Sequence, residues 1–161
     1  MYSMIWYRTR TWKIIVQFLS GLSMLAIGCC IYLLFRSRTL NIYHWCSALG
    51  LSDIIDDYRQ ITMSWNVPDF IRFSIPDGLY CAAYLVLMDI VWHDDSRWIK
   101  YLVLSIVPVV TIGSEFFQYI GWVPGTFDVY DLICYGTPLL TYIGFQIINK
   151  YKFNKLKVKC L

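Results

Sequence analysis

Residues Gly113 to Gly136 read GSEFFQYIGWVPGTFDVYDLICYG, and their setting decides the fold. On both sides lie strongly apolar runs, yet the stretch itself carries Glu115, Gln118, Asp128 and Asp131. The whole chain is 58% hydrophobic, 18% aromatic and only 16% charged, with a mean hydropathy of +0.50. A soluble domain is about half apolar and about a quarter charged. The composition therefore predicts an all-α membrane protein, and 161 residues leave room for one integral domain. The carboxylates then sit beside segments that lipid should surround.

Outward from that stretch, four apolar runs are long enough to be read as transmembrane helices, about 14–35, 78–92, 98–122 and 129–148. Arg8, Arg10 and Lys13 precede the first run as they would in a signal peptide, but the run continues past Cys29 to Phe35, which predicts an uncleaved span. The polar section 36–77 holds SDIIDDYR, Ser52 to Arg59, in which Ile54, Ile55, Tyr58 and Ile61 recur at helical spacing. This predicts a helix lying on the membrane surface, capped by Ser52 or Asp53. Pro68 and Pro76 punctuate the approach to the second span. Val123-Pro124-Gly125-Thr126 predicts a type II turn with Pro124 and Gly125 at its centre.

Lys and Arg set the orientation. Arg8, Arg10, Lys13, Arg97, Lys100 and the five tail lysines from Lys150 to Lys159 fall on one side. Arg36, Arg38, Arg59 and Arg72 fall on the other. Both termini are expected in the cytoplasm, with Arg36 and Arg38 as contrary signals. Trp6, Trp12, Trp92, Trp98 and Trp122 stand at span ends, where aromatic belts form. His44 and His93 fall on opposite sides and cannot share a metal. Asp89, Asp94 and Asp95 read as a wet cytoplasmic edge. The six cysteines include no Cys-x-x-Cys pair, and Cys29, Cys30, Cys81 and Cys134 lie in apolar runs as small hydrophobes. With basic residues gathered at the two ends, no nucleic-acid partner is expected.

Under this topology Glu115 nears the end of the third span and Asp131 opens the fourth, at similar depth beneath the outer face. Glu115 and Gln118 share a helix face, as do Asp128 and Asp131. Asp77 precedes the second span on the same side. The expected site is an acidic pocket of Asp77, Glu115, Asp128 and Asp131 with Gln118 as a neutral partner. A carboxylate in a bilayer costs a few kcal/mol. Clustered carboxylates must protonate, bind a divalent cation through oxygen, or pair with Arg, and Arg72 is the nearest outer basic residue by sequence. Asp128 and Asp131 also suit the first turn of a helix, where the dipole favours anions. No Ser-His-Asp set, phosphate loop or His-Glu-x-x-His helix is present, so no nucleophile marks an enzyme.

Glu115-x-x-Gln118, the Pro124-Gly125 turn, Asp128-x-x-Asp131 and Tyr135-Gly136 together resemble the VanZ-like family of small bacterial membrane proteins, as does IPDGLY, Ile75 to Tyr80. The resemblance spans Ile75 to Gly144, about half of the chain. Thr126 stands where the family often has Arg, which removes an obvious partner for the acids, and Tyr135 lies near a position that is often Asn. The resemblance implies a role in the bacterial cell envelope, in the cytoplasmic membrane, and a link to resistance against the lipoglycopeptide teicoplanin. The first expectation is therefore a protein that binds or modifies an amphiphilic or lipid-linked cell-wall ligand, among membrane lipids, at the acidic pocket. The others are a proton- or cation-coupled transport component, which four spans would require to be a homo-oligomer, and a non-catalytic accessory subunit held together by its polar groups. Interhelical polar contacts in membranes average only about 0.6 kcal/mol, a small return for four costly groups.

Overall fold

The computed structural model describes residues 2–93 and 98–159, with side chains described for 11–93, 98–149 and 151. All regular structure in the described residues is helical: α1 Tyr2–Phe35, α2 Asn41–Ala48, α3 Ser52–Thr62, α4 Asp69–Val91, α5 Trp98–Tyr119 and α6 Val129–Lys159. Three segments are long and apolar enough to cross a membrane, Thr11–Phe35, Asp69–Val91 and Trp98–Tyr119. Only 11% of the α1 window is buried inside the protein, although it is the most apolar of the three. Water would not tolerate such a surface, whereas lipid covers it without cost. α6 is not among the three, because Asp131, Thr137, Pro138, Thr141 and Gln146 dilute its apolar residues.

The helix bearing the second apolar run starts at Asp69 rather than near Gly78. Pro68 sits at its N-cap with extended backbone, and Asp69 places a negative charge in the first turn. Pro76, expected before the helix, is inside it and fully buried. A proline there forfeits one backbone hydrogen bond, which packed neighbours make tolerable. Asp77 thus lies within α4 instead of leading into it.

The third apolar run also stops earlier than expected, at Tyr119 and not Trp122. Gly121 adopts a left-handed φ of 76°. Its N–H donates to the Gln118 carbonyl at 3.0 Å, and the Trp122 N–H donates to Phe117 at 2.9 Å. This is a Schellman stop, and the Phe117 and Trp122 rings stack across it at 5.7 Å. Gly125 has φ of 150°, far from the roughly +80° that a type II turn requires, so the Pro124-Gly125 link is an open bend.

α4 is the hub of the bundle. α1 runs antiparallel to it, with Gly21 facing Leu87, Gly28 facing Tyr80, and Tyr32 reaching Asp77. α5 is antiparallel on another side, where the Tyr84 hydroxyl donates to the Val103 carbonyl at 2.6 Å. α6 runs parallel to α4. Gly78 abuts Cys134, and Asp89 meets Tyr142 and Gln146 further along. The small core between them is Cys81, Leu85, Leu104 and Tyr135.

α2 and α3 cap one end of α1. The Tyr43 hydroxyl donates to Asp56 at 2.9 Å, and Arg38 pairs with the same carboxylate at 2.9 Å. Arg59, buried, donates to the Leu33 carbonyl. The opposite face of α3 shows Ile54, Tyr58 and Ile61 to the outside. Leu51, not Ser52 or Asp53, occupies the N-cap, and no side chain caps the helix.

Candidate functional site

The acidic cluster is built from three helix ends. In the middle stands Asp77, one-fifth exposed on α4. It accepts a hydrogen bond from the Tyr32 hydroxyl and lies 3.8 Å from the Arg36 guanidinium. Tyr32 and Arg36 are four residues apart, so both project from one face at the end of α1. Arg36 is also held by rings, its Cζ 4.9 Å from the Tyr32 centroid and 4.7 Å from that of Phe73. The expected counter-ion, Arg72, is not used: it donates to the Trp65 carbonyl at 3.3 Å and stacks near Phe35. Arg36 takes its place because antiparallel packing of α1 on α4 delivers it there, which sequence distance concealed.

Glu115 is 4% exposed in the last turns of α5. One of its oxygens accepts the Asp128 N–H at 3.4 Å, which ties the end of α5 to the start of α6. Asp128 itself uses its side chain as the N-cap of α6, accepting the Tyr130 N–H at 2.8 Å. Its carboxylate also acts electrostatically on Glu115. Asp131, in the first turn of α6, lies within electrostatic reach of both Asp77 and Glu115. Its Oδ1 is buried with no hydrogen-bond partner. Gln118 packs against the bend: a Cβ on Gly125 would come within 2.7 Å of its amide carbon. Of the five residues singled out in the sequence, the carboxylates of Asp77, Asp128 and Asp131 all act electrostatically on Glu115, and Gln118 shapes the link beside them. Among the described residues no three His, Cys, Asp or Glu side chains form a group that could hold a metal ion.

Beside the acids, Ile112, Phe116, Tyr119, Phe127 and Leu132 line an apolar hollow of about 360 Å³ between α5 and α6. Ile112, Phe116 and Tyr119 follow one another at helical spacing on either side of Glu115.

The capping role of Asp128 makes a direct prediction. Asp128→Ala should cost about 1 kcal/mol of stability, the usual value of an N-cap. Asp128→Ser should recover most of it, read as thermal midpoints of the detergent-solubilised protein. Equal losses in both variants would show that charge, not capping, is what Asp128 supplies.

A second ionic group lies about 18 Å along α4 from Asp77, at the helical rise of about 1.5 Å per residue. Here the expectation of a wet edge at Asp89 is corrected. Asp89 and Lys100 form a 2.7 Å ion pair with side chains only 13% and 11% exposed. The Tyr142 hydroxyl donates to Asp89 at 2.7 Å, and the Gln146 amide reaches both Asp89 at 3.4 Å and the Tyr142 oxygen at 2.8 Å. Three helices thus meet at one carboxylate. The sequence signal was Asp89 within an apolar run and a tyrosine and glutamine four apart in α6. Asp94 and Asp95 lie outside the described residues.

Comparison with protein-family models, with curated proteins and with solved structures found no match.

Proposed function

We propose that the chain is a four-span, VanZ-like protein of the bacterial cytoplasmic membrane that binds or modifies an amphiphilic, lipid-linked envelope ligand at the acidic cluster. A fourth span is supported by α6 lying parallel to α4 from Gly78–Cys134 to Asp89–Gln146, so that it covers the same depth as a helix fit to cross. The apolar outer face of α3, with Ile54, Tyr58 and Ile61 all more than half exposed, suits the membrane surface at the Asp77 end. The lysine-rich tail favours cytoplasmic termini, which puts Asp77, Glu115 and Asp131 beneath the outer face.

The observation that carries the reading is the charge balance of the cluster. Four carboxylates, Asp77, Glu115, Asp128 and Asp131, stand with one guanidinium, Arg36, and the Asp131 Oδ1 is a buried acceptor without a donor. A buried acceptor in that state costs about 1–3 kcal/mol, which a ligand bearing amine or hydroxyl donors would recover. The apolar hollow beside Glu115 would take the hydrophobic part of the same molecule. Amine or hydroxyl donors on the ligand would meet the Asp131 acceptor directly, whereas a divalent cation would be shared between carboxylates and the ligand's own oxygens.

Binding of teicoplanin, and separately of a lipid-linked cell-wall precursor, to the protein in nanodiscs tests it, alongside growth of an expressing strain in teicoplanin. Glu115→Gln and Asp131→Asn should each weaken binding about ten-fold or more, the effect of a hydrogen bond to a charged group, and lower resistance in parallel. Unchanged affinity and unchanged growth in both variants would sink the reading. Protonophore-sensitive flux in liposomes, with no binding, would replace it by the transport function.

A further inference from the structure

α1 and α6 both pack on α4 and leave a furrow between them whose floor is α4. Its narrow part, about 350 Å³, is walled by Met24, Leu85, Val86, Pro138 and Phe145. Ser20, Thr137 and Thr141 also line it, but their hydroxyls are spent on their own helices, donating to Gln17, Ile133 and Thr137 carbonyls at 2.7–2.8 Å. To a ligand this wall is therefore apolar. Beyond Gln17, Asp89 and Phe145, which border both parts, the furrow widens to about 720 Å³ at the end away from the acidic cluster. The wide part is mixed: Lys13, His93, Lys100, Gln146 and Asn149 stand beside Trp12, Ile14 and Val16.

Charge selects the occupant. Asp89 is the one carboxylate lining the furrow among the described residues, and Lys100, Tyr142 and Gln146 neutralise and solvate it. Lys13 and His93 have no ion-pair or side-chain hydrogen-bond partner among the described residues, so the described wall of the wide mouth carries one uncompensated cation, Lys13, with the imidazole N–H of His93 as a free donor beside it. From Lys13 to Met24 the furrow runs about 16 Å at the helical rise. That is about half of the roughly 30 Å hydrocarbon thickness, the depth of one leaflet.

We infer that this furrow is a lateral binding site for an anionic membrane lipid, with one acyl chain between α1 and α6 and its phosphate at Lys13 and His93. Its basic mouth and apolar length match a lipid of the leaflet opposite the acidic cluster. The site is separate from that cluster and does not depend on the function proposed for it.

The test uses the full chain in phosphatidylcholine nanodiscs containing a phosphatidylglycerol whose acyl chain bears a diazirine. After irradiation, labelled peptides are mapped. Labels are expected on α1 between Gln17 and Met24 and on α6 between Pro138 and Phe145. Unlabelled phosphatidylglycerol should compete, and phosphatidylcholine should not. Lys13→Glu should lower this labelling at least about five-fold, the contribution of one basic residue near an anionic head group. Thr141→Trp, which fills the narrow part, should abolish it, and Ile106→Trp on the exposed face of α5 should leave it intact. Labelling of the exposed face of α5 as strong as that of the furrow, with no response to Lys13→Glu, would overturn the proposal. Competition by phosphatidylcholine or by inorganic phosphate alone would do the same, as would a furrow closed by a cross-linked second copy of the chain.

Discussion

Asp89→Ala is expected to destabilise the bundle by about 3–5 kcal/mol, the cost of leaving a buried charge without its partner. Lys100 is 9% exposed, and its ammonium lies 2.7 Å from the carboxylate that this change removes. Tyr142 and Gln146 lose their shared acceptor at the same time. Neutral polar contacts between membrane helices are worth only about 0.6 kcal/mol on average, so the stranded charge and not the lost hydrogen bonds should dominate. Lys100→Met should cost less, since Tyr142 and Gln146 still solvate Asp89. The double variant Asp89→Leu/Lys100→Met should return close to wild-type stability, because an apolar pair of similar volume needs no compensation. Unfolding of wild type, Asp89→Leu, Lys100→Met and the double variant in detergent closes the cycle. A coupling energy below about 0.5 kcal/mol, the noise of independent sites, would mean that the two groups do not act as a buried pair.

That pair also shows where reading the sequence stops. The spans Thr11–Phe35, Asp69–Val91 and Trp98–Tyr119 were legible, because continuous apolar runs such as Ile14–Phe35 admit little else, whereas the short α2 carried no such signal. The α5–α6 link follows the same logic: a short turn between consecutive antiparallel helices leaves few alternatives, and the Asp128 N–H reaches Glu115 across it. Asp89 was misread as solvated because its partners come from two other helices, and local pattern says nothing about which helix faces which. Arg36 illustrates the same limit. As a bare charge after the first span it argued against the orientation, and only the packing of α1 on α4 reveals it as the counter-ion of Asp77. The ends of α4 and α5 were hidden for a different reason. A proline reads as a stop, yet Pro76 is absorbed by its neighbours, and a glycine in an aromatic run reads as neutral, yet Gly121 ends the helix through its left-handed backbone.

Gly78→Leu is expected to have the second large effect, because it tests what brings the acids together. A Cβ at position 78 would sit 2.8 Å from the Cys134 carbonyl oxygen and 2.9 Å from the Cys134 Cβ. The first of these is backbone and cannot rotate away. Small residues let membrane helices approach this closely, and α4 and α6 have no other way to relieve the clash than to move apart. Overpacking of this kind costs about 1–3 kcal/mol. Gly78→Ala should give a smaller loss in the same direction. Gly136→Leu serves as the control, since a Cβ there meets nothing within 4 Å. Cys134→Gly in the Gly78→Leu background should rescue only in part, because it removes the Cβ contact and leaves the carbonyl. Separation of the two helices also draws Asp131 on α6 away from Asp77 on α4, although no carboxylate has been altered. Ligand binding at the acidic cluster should therefore fall together with stability in Gly78→Leu, and stay intact in Gly136→Leu. If Gly78→Leu melted and bound like the control, close contact of α4 with α6 would not be what assembles the site.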